Sequence, residues 1–128
     1  LIGQPEQLLD TARLQVLAEV FSRAGIPTRV SPNIMDFLWA KIIYNSALNP
    51  LGAILEVPYG KLAEMEWSRQ LMDQIISEIF AVLKALKQPV PWEDAEAYRS
   101  TFYQQLLPST AAHRASMLRT FNKAARPK

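Results

Sequence analysis

Cysteine is absent from this chain, which excludes a disulfide framework and a thiolate metal site. A single histidine, His113, leaves no multi-histidine site either. Glu64, Glu66 and Glu78 do not fall at metal-ligand spacing and read as solvated helix faces, so no metal is expected. The four glycines, Gly3, Gly25, Gly52 and Gly60, are isolated, and none belongs to a G-x-G-x-x-G phosphate cradle. No apolar run approaches the roughly 20 residues of a membrane span, and no basic-then-apolar segment opens the chain. These absences favour a cytoplasmic protein with no membrane partner. Charge of one sign is also scarce. Fourteen basic against twelve acidic residues leave +2. The positive charges are scattered singly, apart from a loose tail of Arg114, Arg119, Lys123, Arg126 and Lys128. That tail reads as a solvated helix face running into a frayed end, so no nucleic-acid partner is expected.

What is present is a helical pattern. Half of the 128 residues are hydrophobic, enough for the core of one domain. Leu1-Ile2-Gly3 reads as the end of a buried strand. From about Gln7 to Ala24 the apolar residues Leu14, Leu17, Val20, Phe21 and Ala24 follow the helix period, and Gly25 can end that helix in a left-handed conformation. Pro27 to Ser31 is short and partly β-branched, a second strand candidate. Strand, helix, strand is the unit of a parallel sheet. Two short strands cannot make such a sheet alone, so residues 1–31 read as the last unit of a larger domain.

After Ser31-Pro32 the chain, residues 32–128, reads as a helical bundle. The stretch from Asn33 to Asn49 is apolar nearly all round, which predicts a buried helix. Pro50 disfavours helix at Asn49 and predicts a break or kink there, with a new short helix through Leu55. Val57-Pro58-Tyr59-Gly60 reads as a turn. A long helix is expected over 66–87, with a buried stripe of Trp67, Leu71, Ile75, Ile79, Leu83 and Leu86, ended by Pro89 and Pro91. Another spans 93–107, with Ala97, Phe102 and Leu106 inward and Pro108 ending it. A last one runs over 110–124. Trp39, Trp67 and Trp92 are expected to pack in the core and between helices.

Within the apolar helix, Lys41, Asn45 and Asn49 recur every four residues. Four residues turn a helix by about 400°, so the three form a slowly drifting line on one face. A purely solvated face would carry more charge. Lys41 is the only charge on this one, crowded by Ile42, Ile43, Tyr44 and Leu48. A buried lysine and two amides need partners, and a polar ligand would supply them.

The run from Leu38 through Lys41, Asn45, Asn49 and Pro50 to Ala53 closely resembles the signature of the C-terminal domain of ketopantoate reductases, also called 2-dehydropantoate 2-reductases. Tyr59-Gly60-Lys61-Leu62 resembles the turn that follows in that family. Ile75-Ile76-Ser77-Glu78 resembles its long helix, and Ser116-Met117-Leu118 its serine motif. Ile2-Gly3 and Ala24-Gly25-Ile26 are similar to the end of its nucleotide-binding domain. The resemblance implies a mainly α fold: the helical C-terminal domain of a 6-phosphogluconate-dehydrogenase-like reductase, preceded at 1–31 by a strand-helix-strand remnant of a Rossmann domain. It further implies an oxidoreductase that reduces a 2-keto acid with NADPH. Lys41 would be the catalytic lysine, its pKa lowered by burial. Asn45, Asn49 and Ser116 would be substrate-binding and would meet Lys41 in one cleft.

The departures from the family pattern are local. Arg119 and Thr120 stand where Gln and Asp are usual, and Lys128 falls about where an active-site glutamate belongs. Without the Rossmann domain the chain alone is expected to be inactive and to hold no cofactor. Faces normally covered by further terminal helices would stay apolar. A patch of Phe37, Trp39 and Ile43, with Met117 and Phe121, is then expected to pair two copies as a homodimer. His113 lies close to Ser116, but no acid or nucleophile elbow frames them, which argues against a hydrolase. A reductase for another 2-keto acid and a non-catalytic helical interaction module are the alternatives.

Overall fold

The computed structural model describes residues 1–4 and 11–118. These fall into two compact units, Leu1–Ala40 and Lys41–Lys128. None of the described helices is long and apolar enough to cross a membrane.

In the first unit, Ile2 and Val30 form a single parallel bridge. The Ile2 N–H donates to the Arg29 carbonyl at 2.9 Å, and the Ser31 N–H donates to the Ile2 carbonyl at 2.8 Å. The pairing is parallel, as expected, but it is one bridge long. Helix α1, Thr11–Arg23, connects the two sides. Gly25 ends it at φ 83°, and the Ile26 N–H closes back on the Phe21 carbonyl. Of the apolar face expected here, only Leu14 is buried, joined by Ala18. Leu17, Val20 and Phe21 are exposed.

Helix α2 is continuous from Ile34 to Ile54 and contains Pro50, so the chain does not break there into a separate short helix. The proline removes one N–H and crowds the preceding turn. Ala47, Leu48, Leu51, Gly52 and Ala53 are all buried, and this packing holds the turn helical despite the lost donor. Nor is α2 covered all round: Phe37, Leu38, Ile42 and Ile54 are exposed. Ile43, expected in a pairing patch, is fully buried, and Trp39 is half-buried. Phe37 and Met117 remain exposed, while Phe121 lies outside the described residues.

In the second unit, Tyr59 to Gly60 opens a helix rather than a turn: α3 spans Tyr59–Glu64. Helix α4, Glu66–Leu86, follows and packs against α3. It ends on Lys87 in the left-handed region, whose N–H reaches the Leu83 and Lys84 carbonyls, ahead of the prolines credited with stopping it. Its buried residues are Ser68, Met72, Ile76 and Leu83: of the expected stripe Leu83 is buried and Ile75 and Ile79 are half-buried, while in the first half of the helix the buried positions fall one residue later. Trp67, at 51% exposure, and Leu71 and Leu86 face outward instead. The helix is apolar on two adjacent faces, and periodicity alone cannot say which of them meets a neighbour.

Helix α5, Ala95–Thr101, starts on the Asp94 side chain, which accepts from the Ala97 N–H at 2.8 Å. The chain then widens into a π-helical turn, Phe102–Leu106, and finishes as α6, Leu107–Ser109. Pro108 therefore sits inside the last turn and does not stop the helix. The π turn lets the Leu107 N–H bond to the Phe102 carbonyl one residue further back, which eases the entry of a residue without an N–H. Tyr98 and Phe102 are the fully buried residues of this segment, while Ala97 is exposed. Arg99 ties α5 to α4 through the Ser77 hydroxyl at 2.8 Å, and Tyr103 donates to Asp73 at 2.8 Å. Helix is absent at 110–115 and resumes only at Ser116, later than expected; the rest of that predicted helix lies outside the described residues.

An aromatic line runs through this unit. Trp92 meets Tyr98 edge-on with ring centroids 4.7 Å apart, Tyr98 stacks on Phe102 at 5.9 Å, and Phe102 meets Tyr44 at 6.0 Å. Edge-to-face and offset contacts at these separations are favourable beyond the area they bury. The buried stripe of α4 is checked by two neighbouring truncations. Met72→Ala, at a fully buried position, is expected to cost about 2–5 kcal/mol in chemical denaturation. Leu71→Ala, at 38% exposure, should cost less than about 1 kcal/mol. Equal costs would put Leu71 in the core after all.

Candidate active site

The site begins with two close approaches at glycines. The Tyr59 N–H donates to the His113 carbonyl at 3.0 Å, and the Gly60 N–H donates to the Ala111 carbonyl at 2.9 Å. These are the free donors at the start of α3, and they dock the 111–113 segment onto it. A Cβ on Gly60 would stand 3.0 Å from Ala111 Cβ, a contact that Ala111 could meet only by shifting a few tenths of an ångström. On α2, a Cβ on Gly52 would stand 3.2 Å from the Tyr59 ring and 3.4 Å from Ala115 Cβ. The two glycines thus let Tyr59 and the 111–115 segment lie against the polar face of α2.

The result is a cleft of about 880 Å³ lined by Lys41, Tyr44, Asn45, Asn49, Tyr59, Thr110, His113, Arg114 and Ser116, among others. All four residues singled out in the sequence, Lys41, Asn45, Asn49 and Ser116, line it. The four-residue spacing on α2 therefore does present one face to one space, and the serine comes to it from a distant part of the chain. One expectation is corrected: Lys41 is exposed, not buried. Asn45 and Asn49 are half-buried.

Several lining residues escaped the sequence reading. Tyr44 shares the α2 face, one residue before Asn45, and its hydroxyl is hydrogen-bonded to the Thr110 hydroxyl. Tyr59, 6% exposed, donates from its hydroxyl to Asn49 Oδ1 and meets the Tyr44 ring edge-on at 6.3 Å. Burial, and after it the neighbouring Tyr44, raises the Tyr59 pKa above its usual value of 10.0. Arg114, grouped in the sequence with a solvated tail, lines the cleft and donates to the Glu56 carbonyl at 2.6 Å. Its distance of two residues from Ser116 was the available signal. His113 lines the cleft as well, with no acid beside it among the lining residues.

Electrostatically the lining is one-sided. Lys41 and Arg114 are cations, and no described lining residue is acidic. Neither cation is in an ion pair among the described residues. A cleft with two unpaired cations, two amides and a hydroxyl can take an anionic, oxygen-rich small molecule. No group of three or more His, Cys, Asp or Glu side chains able to hold a metal occurs among the described residues.

The fold is that of a helical domain with a cationic, amide-lined cleft, and comparison with known proteins identifies the family. Residues 33–126 match the family described as ketopantoate reductase PanE/ApbA C terminal. The chain belongs to that family. It is 48% identical to the 2-dehydropantoate 2-reductase of Aquifex aeolicus over 95% of its own length and 39% of the relative's. Its fold matches the PanE/ApbA family ketopantoate reductase of Ralstonia eutropha JMP134 with a TM-score of 0.73 at 30% identity, over 88% of this chain and 36% of that one. D-mandelate dehydrogenase, solved with NADH and anilino(oxo)acetate, shares the fold at a TM-score of 0.73 and 20% identity, over 98% of this chain and 50% of that one. The chain thus spans well under half the length of the reductases it resembles.

The raised Tyr59 pKa makes a prediction about alkaline stability. The neutral phenol is favoured in the folded state, so its contribution is complete below pH 10.0, the unperturbed value, and is lost as pH rises above it. The melting temperature should fall above pH 10, and less steeply in Tyr59→Phe. An identical alkaline slope in the variant would show that the Tyr59 hydroxyl is not held neutral by the fold.

Proposed function

We propose that this chain is the substrate-binding half of a 2-dehydropantoate 2-reductase, which reduces a 2-keto acid, ketopantoate, to pantoate with NADPH in pantothenate biosynthesis. The observation that carries this reading is the convergence of Lys41, Asn45, Asn49 and Ser116 on one cleft whose described lining has no acidic residue. The family membership and the names of the relatives support it. On this reading residues 1–31 complete a nucleotide-binding domain and residues 32–128 hold the substrate.

The residues of this chain fit the substrate side of the reaction and not the cofactor's phosphates, since no glycine-rich turn is present. A reduced nicotinamide supplies, when bound, a hydride to the carbonyl carbon of such a substrate. As that carbon is reduced, the ketone oxygen gathers negative charge and must take up a proton. Lys41, exposed on the cleft, can hold that oxygen with its ammonium, donate the proton to it and regain one from solvent. The Asn49 and Asn45 amides and the Ser116 hydroxyl bind the oxygens of the carboxylate and hydroxyl groups without adding charge. Arg114, held by the Glu56 carbonyl, gives the substrate carboxylate a second cation besides Lys41.

Steady-state kinetics of the full-length protein with ketopantoate and NADPH test the reading. Lys41→Ala should lower kcat by about 10²–10⁴-fold. Stability should change by no more than about 0.5 kcal/mol, because the side chain is exposed and unpaired among the described residues. Unchanged turnover would remove Lys41 as the proton donor. The 128-residue chain alone should reduce no keto acid and show no micromolar NADPH affinity by calorimetry; such affinity would overturn the assignment of the cofactor site to another part of the protein.

A further inference from the structure

The half-buried amide of Asn49 has two ends, and only one is engaged within the described residues. Its Oδ1 accepts from the Tyr59 hydroxyl, while its Nδ2 makes no hydrogen bond with any described residue. Tyr59 has little freedom to let that amide turn. Its ring is almost fully buried, its backbone N–H is bound to the His113 carbonyl, and it is wedged between the Tyr44 ring and the glycine gap at Gly52.

We propose that Tyr59 is a positioning residue that locks the Asn49 side chain with its carbonyl capped and its NH₂ group turned to the cleft, so that Asn49 presents only donors to the substrate. The inference rests on the functional reading above and deepens it. A free asparagine offers a donor or an acceptor with equal ease. A capped one discriminates, and here it selects a carboxylate or ketone oxygen over a group that would have to donate. Lys41 and Arg114 likewise present donors only, so the orientation given to Asn49 aligns it with the two cations of the cleft in favouring an acceptor-rich anion. The phenol suits the task because burial favours its neutral, donating form. The close contact of its ring with Gly52 fixes where the hydroxyl can reach. Tyr59 acts through Asn49 and is not itself asked to touch the substrate.

A double-mutant cycle on the full-length protein separates this role from simple packing. Tyr59→Phe keeps the ring and deletes the hydroxyl. It should raise KM for the 2-keto acid about five- to tenfold, the equivalent of one net hydrogen bond, and change kcat by less than about twofold. In an Asn49→Ala background the same change should leave KM unaltered, because nothing remains to be oriented. Additive effects on KM would overturn the proposal and make Tyr59 a direct contact or a packing residue. If the protein reduces no 2-keto acid, the functional reading fails, and the orientation is then decided by nuclear magnetic resonance on the unaltered protein, as it is if Tyr59→Phe does not fold. Asn49 side-chain NH₂ protons that exchange freely with water support the lock. NH₂ protons protected by a bond to the Tyr59 oxygen, with the carbonyl toward the cleft, would refute it.

Discussion

Two backbone hydrogen bonds at the start of α3, from Tyr59 to His113 and from Gly60 to Ala111, hold the cleft together. They satisfy donors that every helix leaves unpaired in its first turn. They also bring a segment 50 residues further along the chain against α2. Together with the Tyr44–Thr110 bond and the bond from Arg114 to the Glu56 carbonyl, they fix where Arg114 and Ser116 stand relative to Lys41, Asn45 and Asn49. The same docking seats the Tyr59 hydroxyl on Asn49. One local requirement of helix termination thus organises the polar face on one side and its counterpart on the other.

The rest of the second unit keeps that arrangement rigid. The aromatic line from Trp92 through Tyr98 and Phe102 to Tyr44 connects the interior to the wall of the cleft. The π-helical turn at Phe102–Leu106 belongs to this support, because it accommodates Pro108 while the chain stays helical up to the turn carrying Thr110, the partner of Tyr44. Asp73 and Ser77 fasten α5 and the π turn to α4 on the opposite side. On the cleft side, by contrast, the Lys41, Asn45 and Ser116 side chains have no hydrogen bond or ion pair among the described residues.

Much of this was legible in order along the chain. The mainly helical character, the left-handed stop at Gly25, the extent of α4 and the polar line at Lys41, Asn45 and Asn49 all follow from local pattern. The errors share a cause. Trp67 and Leu71 were assigned inward, yet Ser68 and Met72 are buried, because a helix with two apolar faces does not say which one meets a neighbour. Pro50 was read as a break or kink followed by a new helix, yet α2 runs on through it, because burial of Leu48, Leu51 and Ala53 around it offsets one missing donor. Lys41 was read as buried because its neighbours in sequence are apolar, while solvent reaches it along the open cleft.

The sequence by itself determined the mainly helical character, the glycine stop after α1 and the family, since propensity, periodicity and a specific run of residues are properties of short stretches. It also determined that Lys41, Asn45 and Asn49 share a face, because a helix repeat is a local law. Only the tertiary structure decided that Ser116 and Arg114 stand opposite that face, that Tyr59 caps Asn49 and that Tyr44 binds Thr110. Those pairings join positions as much as 75 residues apart, from Lys41 to Ser116. They depend on how closely two backbones approach at Gly52 and Gly60, and that distance is set by packing in three dimensions.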